Sequence, residues 1–261
     1  EDISYVKTNE IVVISGKGGT GKTSLVASFC AIENKLSIAD CDVDAADLHL
    51  VLSPEVKERG LFSGGKLASI DSSKCIRCGE CLDNCNFDAI NNVDGYYLID
   101  EFSCEGCGVC SLVCHYDAIK LEKAINGKWF LSETRFGPLS HAKLGVAEEN
   151  SGKLVSIVRN KKNFLAGKYN LKTSIIDGSP GTGCPVIASL TGTDYVIIVT
   201  EPTVSGIHDL LRILDLIKFF NLKAGVIVNK SDINLNKSKE IETLIKNENY
   251  YQYQKKKTKN S

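Results

Sequence analysis

A glycine-rich segment near the start of the chain constrains the fold more than any other feature. Residues 16–23 have the spacing G-x-x-x-x-G-K-T of a phosphate-binding loop. They follow the apolar run Ile11–Ile14 and precede a helix-forming stretch, 24–33. In such a loop the backbone N–H groups surround a polyphosphate, and the helix N-terminus adds its positive end. The segment therefore predicts a strand, a loop and a helix that bind a nucleoside triphosphate.

Two side chains of this loop have predicted roles of their own. Lys22 is expected to reach the β- and γ-phosphates, and the Thr23 hydroxyl is expected to hold Mg²⁺. The alternative is a glycine-rich turn without a ligand. The predicted ATP-binding residues of the loop are Gly16, Lys17, Gly18, Gly19, Thr20, Gly21, Lys22 and Thr23.

A second lysine, Lys17, directly follows the first glycine of the loop. The run K-G-G-T-G-K-T resembles the deviant loop of the MinD, Mrp and nitrogenase-iron-protein group of ATPases. In that group the extra lysine reaches across a nucleotide-sandwich homodimer to the phosphates of the partner. The resemblance implies a trans-acting catalytic role for Lys17 and a nucleotide-dependent homodimer, and the alternative is a solvated loop lysine.

An acidic segment follows the second predicted strand, 36–39. Four aspartates lie within residues 40–47, where the carboxyl end of a parallel strand is expected to face the phosphate loop. The segment resembles the first switch of the same ATPases, which implies that Asp42 positions or activates the attacking water and that Asp40 supports the Mg²⁺ region. A calcium loop lacks its glycine and terminal glutamate here, and a solvated acidic loop is the remaining alternative.

Two further strand ends complete the predicted nucleotide site. The apolar run 174–176 ends in Asp177, which is expected to order Mg²⁺-bound water, and the N–H of Gly181 is expected to sense the γ-phosphate. This segment resembles the second switch of the group. The strand 224–228 leads into Asn229 of an N-K-x-D motif. That motif reads guanine in GTPases, but the asparagine contacts adenine in the resembled ATPases, so the resemblance implies ATP.

Cys184 follows the second switch. A thiol at this position is interpreted either as a ligand for a metal or for a partner's cluster, as in nitrogenase iron protein, or as a small buried residue at a helix start.

Eight of the eleven cysteines fall within forty residues. In a chain with a nucleotide loop they indicate metal ligands rather than disulfides. The run C-x-x-C-x-x-C-x-x-x-C occurs twice, and each copy has a similar tail, 86–90 and 115–119. This spacing is typical of iron-sulfur ligands, with a zinc ribbon as the rival interpretation.

The repeat resembles the bacterial two-cluster ferredoxins, in which the fourth cysteine of each run binds the other cluster. The resemblance implies one 4Fe-4S cluster on Cys75, Cys78, Cys81 and Cys114, and a second on Cys104, Cys107, Cys110 and Cys85. Asn86 and His115 replace the proline that ferredoxins place after the fourth cysteine. Because the thiols are intact, the clusters are still expected to form in an altered environment, with His115 as an alternative iron ligand.

These elements predict an α/β fold, a mostly parallel doubly wound P-loop NTPase sheet with an inserted small α+β bacterial-ferredoxin-like domain. Residues 53–70 are interpreted as a linker because they are rich in Gly, Ser and Lys. The predicted parts are the ATPase core at 1–69 and 122–245, the two-cluster insertion at 70–121, and a polar, disordered tail at 246–261.

Composition limits the partners and the location. The net charge of −1 argues against an obligate nucleic-acid binder, and no apolar run of 18 residues exists. We therefore expect a cytoplasmic protein without an integral membrane segment. The leading hypothesis is a slow or partner-stimulated ATPase that couples a dimer change to electron transfer toward a redox or iron-sulfur partner. The alternatives are a carrier or scaffold in iron-sulfur assembly and, third, a MinD-like spatial regulator.

Overall fold

The computed structural model describes residues 7–33, 35–145, 151–247 and 251–254. The chain divides into two compact units. The larger contains Glu1–Gly60, Trp129–Lys143 and Ser151–Ser261, and the smaller contains Leu61–Lys128 and Leu144–Asn150. The smaller unit extends beyond the predicted insertion of 70–121.

A nine-stranded sheet forms the centre of the larger unit. Its strands in chain order are β1 (Asn9–Ser15), β2 (Leu36–Asp40), β3 (Glu55–Phe62), β8 (Gly127–Thr134), β9 (Gly137–Leu144), β10 (Thr173–Pro180), β11 (Tyr195–Thr200), β12 (Ala224–Val228) and β13 (Tyr251–Gln254). The spatial order is β13-β12-β11-β1-β10-β2-β9-β8-β3.

Parallel pairing runs through most of this sheet. The pairs from β13 to β9 in that order are all parallel. The central strands are buried on both sides, as Val12, Val13 and Ile14 of β1 illustrate, because parallel sheets are covered on both faces. Asp177 is in register with Asp40. The carboxyl ends of these strands therefore bring distant acidic residues to one edge.

Helices connect the strands of the larger unit. The core on the side of α1 (Lys22–Ile32) combines Val26 and Cys30 of this helix with Ile38 of β2 and Leu139 of β9. The helix α7 (Val204–Phe219) is amphipathic, with Leu210, Ile213 and Leu214 buried, in keeping with the apolar positions in its sequence. The helices are α1 (Lys22–Ile32), α2 (Leu48–Leu52), α5 (Ser151–Lys168), α6 (Cys184–Leu190), α7 (Val204–Phe219) and α8 (Leu235–Asn247).

Over its described residues, the smaller unit contains two two-stranded antiparallel sheets and two short helices. The strand β4 (Gly65–Ile70) pairs antiparallel with β7 (Ile119–Ala124), and β5 (Ile90–Val93) pairs antiparallel with β6 (Tyr96–Ile99). The helices are α3 (Glu80–Asp83) and α4 (Val109–Val113). A small core of Ala68, Cys81, Ile90 and Ile119 holds these elements together.

Two sequence-based predictions differ from the structure. The predicted linker 53–70 instead contains all of β3 and all of β4, two extended strands that are largely exposed. The predicted tail begins within α8 and includes β13, whose Tyr-Gln-Tyr-Gln sequence has the period of two that favours a strand. Residues 248–250 and 255–261 of that tail lie outside the described residues.

Within the described residues, no helix combines the length and the apolar character that crossing a membrane requires.

Candidate functional site

The phosphate-loop segment connects the end of β1 to the start of α1. Gly19 and Gly21 have φ values of 78° and 90°, in the left-handed region that favours glycine. A Cβ atom on Gly21 would lie 2.4 Å from Nδ2 of Asn229, whereas one on Gly18 or Gly19 would meet nothing within 4 Å. The loop is therefore closely packed at Gly21 and open at Gly18 and Gly19, where a ligand can approach the backbone.

Lys22 is buried at the centre of the predicted nucleotide site. Its Nζ donates hydrogen bonds to Oδ1 of Asp177 at 2.6 Å and to Oδ2 of Asp42 at 3.4 Å. Burial opposes the charge of Lys22, but Asp177 and Asp42 outweigh it, so that the pKa of Lys22 is raised. The structure brings together three side chains that the sequence placed at separate strand ends.

The carboxylate of Asp40 accepts hydrogen bonds from the backbone of the acidic segment and of the helix that follows it. Its Oδ1 accepts a hydrogen bond from the backbone N–H of Asp42, and its Oδ2 accepts one from Leu48 at the start of α2. Burial and the neighbouring Asp177 raise the pKa of Asp40. Asp40 thus holds the backbone that carries Asp42, whereas Asp44 and Asp47 are exposed.

Asp177 has an oxygen that fits a cation or its bound water. Its Oδ2 is buried and has no hydrogen-bond partner among the described residues. Burial raises the pKa of Asp177, while Lys22 and the Thr23 hydroxyl lower it. Because a buried carboxylate oxygen is costly without a partner, the chemistry fits Mg²⁺, which commonly uses one or two carboxylates and keeps several waters.

Lys17 is held within its own chain. Its Nζ lies 2.6 Å from Oε1 of Glu201 and donates to the hydroxyls of Thr203 and Ser205 at 3.4 and 3.0 Å. Lys17 and Lys230 lower the pKa of Glu201. Glu201 had no predicted role. It is an acidic residue directly after β11, the strand that pairs with β1, and that position could have indicated a place beside the phosphate loop.

Two residues of the N-K-x-D motif donate hydrogen bonds to backbone carbonyls of the phosphate loop. Nδ2 of Asn229 donates to the carbonyl of Thr20 at 2.8 Å, and Nζ of Lys230 donates to the carbonyl of Gly19 at 2.9 Å. Lys230 also donates to Oε2 of Glu201 at 2.9 Å. Glu201 therefore pairs both with Lys17 of the phosphate loop and with Lys230 of the motif.

In the predicted second switch, the N–H group that is expected to sense the γ-phosphate already donates a hydrogen bond within the chain. The N–H of Gly181 donates to the carbonyl of Ser15 at 2.8 Å, so this bond must break before the group can reach a phosphate. Cys184 is exposed at the first residue of α6. The interpretation of Cys184 as a buried residue is therefore wrong.

The smaller unit contains two cavities lined by cysteines. The first cysteine cavity contains Cys75, Cys78, Cys81 and Cys114, and the second cysteine cavity contains Cys85, Cys104, Cys107 and Cys110. Each has an empty volume of about 350 Å³ that is open to solvent. In each cavity the fourth cysteine comes from the other run.

Four thiols line each cavity, the number of ligands that a 4Fe-4S cluster takes. Over the described residues, no three His, Cys, Asp or Glu side chains are placed to hold a single metal ion.

His115 lies outside the lining of both cavities. Its Nε2 is 3.7 Å from Oε2 of Glu80, and both side chains are largely exposed. The geometry therefore pairs His115 with a carboxylate rather than with the thiols.

Comparisons with known proteins agree with both units. A family model described as a 4Fe-4S dicluster domain matches residues 68–121. The chain is 39% identical over 230 residues to uncharacterized protein MJ0578 of Methanocaldococcus jannaschii, which covers 86% of this chain and 79% of that protein. Uncharacterized protein MJ0579 of the same organism is 29% identical over 228 residues, which covers 85% of this chain and 80% of that protein.

Among solved structures, the ParA family ATPase from Chlorobium tepidum TLS has a TM-score of 0.50 at 17% identity, with 95% of this chain and 83% of that chain covered. MinD from Pyrococcus horikoshii OT3, complexed with Mg-ADP, has a TM-score of 0.44 at 19% identity, with 85% and 70% covered. The similarity to the Chlorobium tepidum protein shows that the two chains share a fold and shows nothing more. The fold is that of P-loop ATPases of the ParA type, and a 4Fe-4S dicluster domain is inserted in it, as the sequence predicted.

Proposed function

This chain belongs to the same family as MJ0578 of Methanocaldococcus jannaschii, and on that premise we propose that it is a MgATP-hydrolysing iron-sulfur protein. In this proposal a nucleotide-driven change between two copies of the chain controls electron transfer through two 4Fe-4S clusters. The ATPase fold and the dicluster domain support nucleotide binding and iron-sulfur binding.

The observation that carries the proposal is the pair of separate cysteine cavities. Each cavity has its own four thiols, so each can hold a cluster without a thiol from another chain. When bound, the clusters would supply one-electron transfer. Resident clusters of this kind suit electron transfer better than the transient bridging cluster of an assembly protein.

The residues around Lys22 support nucleotide hydrolysis. Lys22 would exchange the carboxylates of Asp177 and Asp42 for the β- and γ-phosphates, since its ammonium is already charged and buried. Asp177 would then be free to order Mg²⁺ with Thr23. Asp42, released from Lys22, would orient the attacking water.

Lys17 and the strand-end residues support a dimer-dependent step. In the proposal Lys17 leaves Glu201 and reaches the phosphates of the partner. Asn229, which donates to the carbonyl of Thr20, would contact the adenine base. The N–H of Gly181 would change its acceptor from Ser15 to the γ-phosphate.

Cys184 favours a second candidate function. It is an exposed thiol outside both cavities and three residues after Gly181. A carrier or scaffold in iron-sulfur assembly would use such a thiol to share a cluster between two copies of the chain.

The test is an anaerobic redox titration, monitored by electron paramagnetic resonance, with and without MgATP. The proposal predicts that MgATP shifts a midpoint by about 60 mV or more, a tenfold change for a one-electron couple. The variant Lys22→Ala is the control and should contain the clusters without the shift. If MgATP leaves the midpoint potentials of the unmodified protein unchanged, coupled electron transfer is rejected in favour of the assembly role. A protein without cluster signals would reject both functions.

A further inference from the structure

The two halves of the dicluster repeat have the same backbone. Residues 71–90 align with 100–119 at an offset of 29 without a gap. Three matched pairs have positive φ: Arg77 and Gly106 at 64° and 62°, Gly79 and Gly108 at 91° and 86°, and Asp88 and Asp117 at 50° and 48°. Since the backbones agree, differences between the two cavities come from the side chains.

The charges at matched positions differ strongly. The first loop, 71–78, contains Asp71, Lys74 and Arg77, for a net charge of +1. The second loop, 100–107, contains Asp100, Glu101 and Glu105, for a net charge of −3. The two cysteine cavities are therefore flanked by loops that differ by four charges.

Two further observations concern the charge near the first cysteine cavity. The guanidinium of Arg77 lies 3.9 Å from the centroid of the Tyr96 ring, and this cation–π contact holds the positive charge in place. Glu80 lines the first cysteine cavity where Val109 lines the second, which reduces the difference to three charges.

The cavity linings differ in the same direction. Tyr97 and Tyr116 line the first cysteine cavity, and Phe87, at the repeat position of Tyr116, lines the second. A tyrosine hydroxyl is a hydrogen-bond donor, which phenylalanine lacks. Hydrogen-bond donors and positive charge both favour the reduced form of an iron-sulfur cluster, because reduction adds a negative charge.

We propose that the two clusters are ordered, with the higher reduction potential in the first cysteine cavity and the lower in the second. The first electron from an external one-electron reductant then resides in the first cavity. This inference rests on the proposed function, since it requires that both cavities bind clusters. An electron that enters through the second cavity moves downhill to the first.

The test uses repeat-matched substitutions in the full chain, reconstituted with iron and sulfide. Lys74→Ser with Arg77→Gly gives the first loop the residues of the second at those two positions. Glu101→Ser with Glu105→Ile does the converse for the second loop. Gly106 is left unchanged, because a Cβ there would lie 2.0 Å from the carbonyl oxygen of Lys66. The control is Lys123→Ser with Lys128→Ser, two cations that lie outside both repeat loops, 71–78 and 100–107, and line neither cavity.

Each protein is titrated anaerobically without nucleotide, with dithionite as the electron source. The unmodified protein should have two one-electron midpoints that differ by at least tenfold in equilibrium constant, which is 59 mV. The first double variant should lower only the higher midpoint, the second should raise only the lower midpoint, and the control should preserve the separation.

Two outcomes separate this inference from the proposed function. A protein that binds eight irons but has coincident midpoints, or whose lower midpoint responds to Lys74→Ser and Arg77→Gly, overturns the ordering alone. A protein that binds fewer than eight irons after reconstitution contradicts the two-cluster function and the ordering with it.

Discussion

The ammonium nitrogen of Lys17 lies 2.6 Å from Oε1 of Glu201, in the same chain. The other carboxylate oxygen, Oε2, accepts a hydrogen bond from Lys230. One carboxylate therefore pairs with two lysines, Lys17 of the phosphate loop and Lys230 of the N-K-x-D motif.

We expect Glu201→Gln to tighten MgATP binding. Loss of the negative charge leaves Lys17 and Lys230 free to attract the triphosphate, which should lower the Kd by a factor of about three to ten. Isothermal titration calorimetry measures this change. Glu240→Gln, which removes a carboxylate from an exposed pair with Lys237, should leave the Kd unchanged, and an unchanged Kd in Glu201→Gln would contradict the role of the pair.

Lys22→Ala is expected to abolish ATP hydrolysis. The substitution removes the ammonium that would stabilise charge on the β- and γ-phosphates, and we expect a loss of at least about 100-fold in kcat, measured by phosphate release. Iron content should stay the same, because Lys22 lies in the larger unit. Lys237→Ala is the matched surface control, and turnover of Lys22→Ala at the unmodified rate would refute the assignment of the loop.

Cys75→Ser should remove about half of the bound iron and spare nucleotide binding, because the other four thiols line a separate cavity. Iron and sulfide analysis after anaerobic reconstitution measures the loss. Cys184→Ser is the control, since this thiol lies outside both cavities. Full iron content in Cys75→Ser would reject the ligand set, and loss of iron in Cys184→Ser would assign that thiol to a metal.

A buried histidine makes stability depend on pH. The ring of His141 in β9 stacks with the rings of His49 and Phe130, and burial, with a smaller effect of His49, lowers its pKa from 6.5 to about 4. The unfolded chain therefore binds the proton first. Its contribution to stability is complete above pH 6.5 and is lost as the pH falls toward 4.

Relative to His141→Gln, the unmodified protein should lose about 3 kcal/mol of unfolding free energy between pH 7 and pH 4. Urea denaturation at several pH values measures the difference. The exposed His208→Gln should follow the unmodified protein, and parallel pH profiles for His141→Gln and the unmodified protein would disprove this account.

Glu10→Gln should destabilise the larger unit. Glu10 pairs with Arg159 and Lys162, all three largely buried, so the substitution leaves two buried cations without their counter-ion. We expect a loss of about 3–5 kcal/mol in urea denaturation. Glu55→Gln, which removes an exposed partner of Lys57, should cost less than about 1 kcal/mol, and equal losses in both variants would exclude the buried network as a source of stability.

Local spacing in the sequence encodes the type of fold. The loop 16–23 after an apolar run predicts a P-loop NTPase fold, and two complete cysteine runs predict a dicluster domain. The comparisons confirm the fold and the dicluster domain. The segments 53–70 and 251–254 were misjudged, since β-structure depends on pairing with strands that are distant in the sequence.

The pairs of side chains that meet depend on how the sheet is assembled. Sequence spacing placed Lys22, Asp42 and Asp177 at separate strand ends, but the parallel register brings them within hydrogen-bond distance. Glu201 had no recognisable motif, and it lies beside Lys17 because it directly follows β11, which pairs with β1. A motif reports the chemistry of neighbours along the chain, whereas a contact between distant residues depends on the packing of the whole sheet.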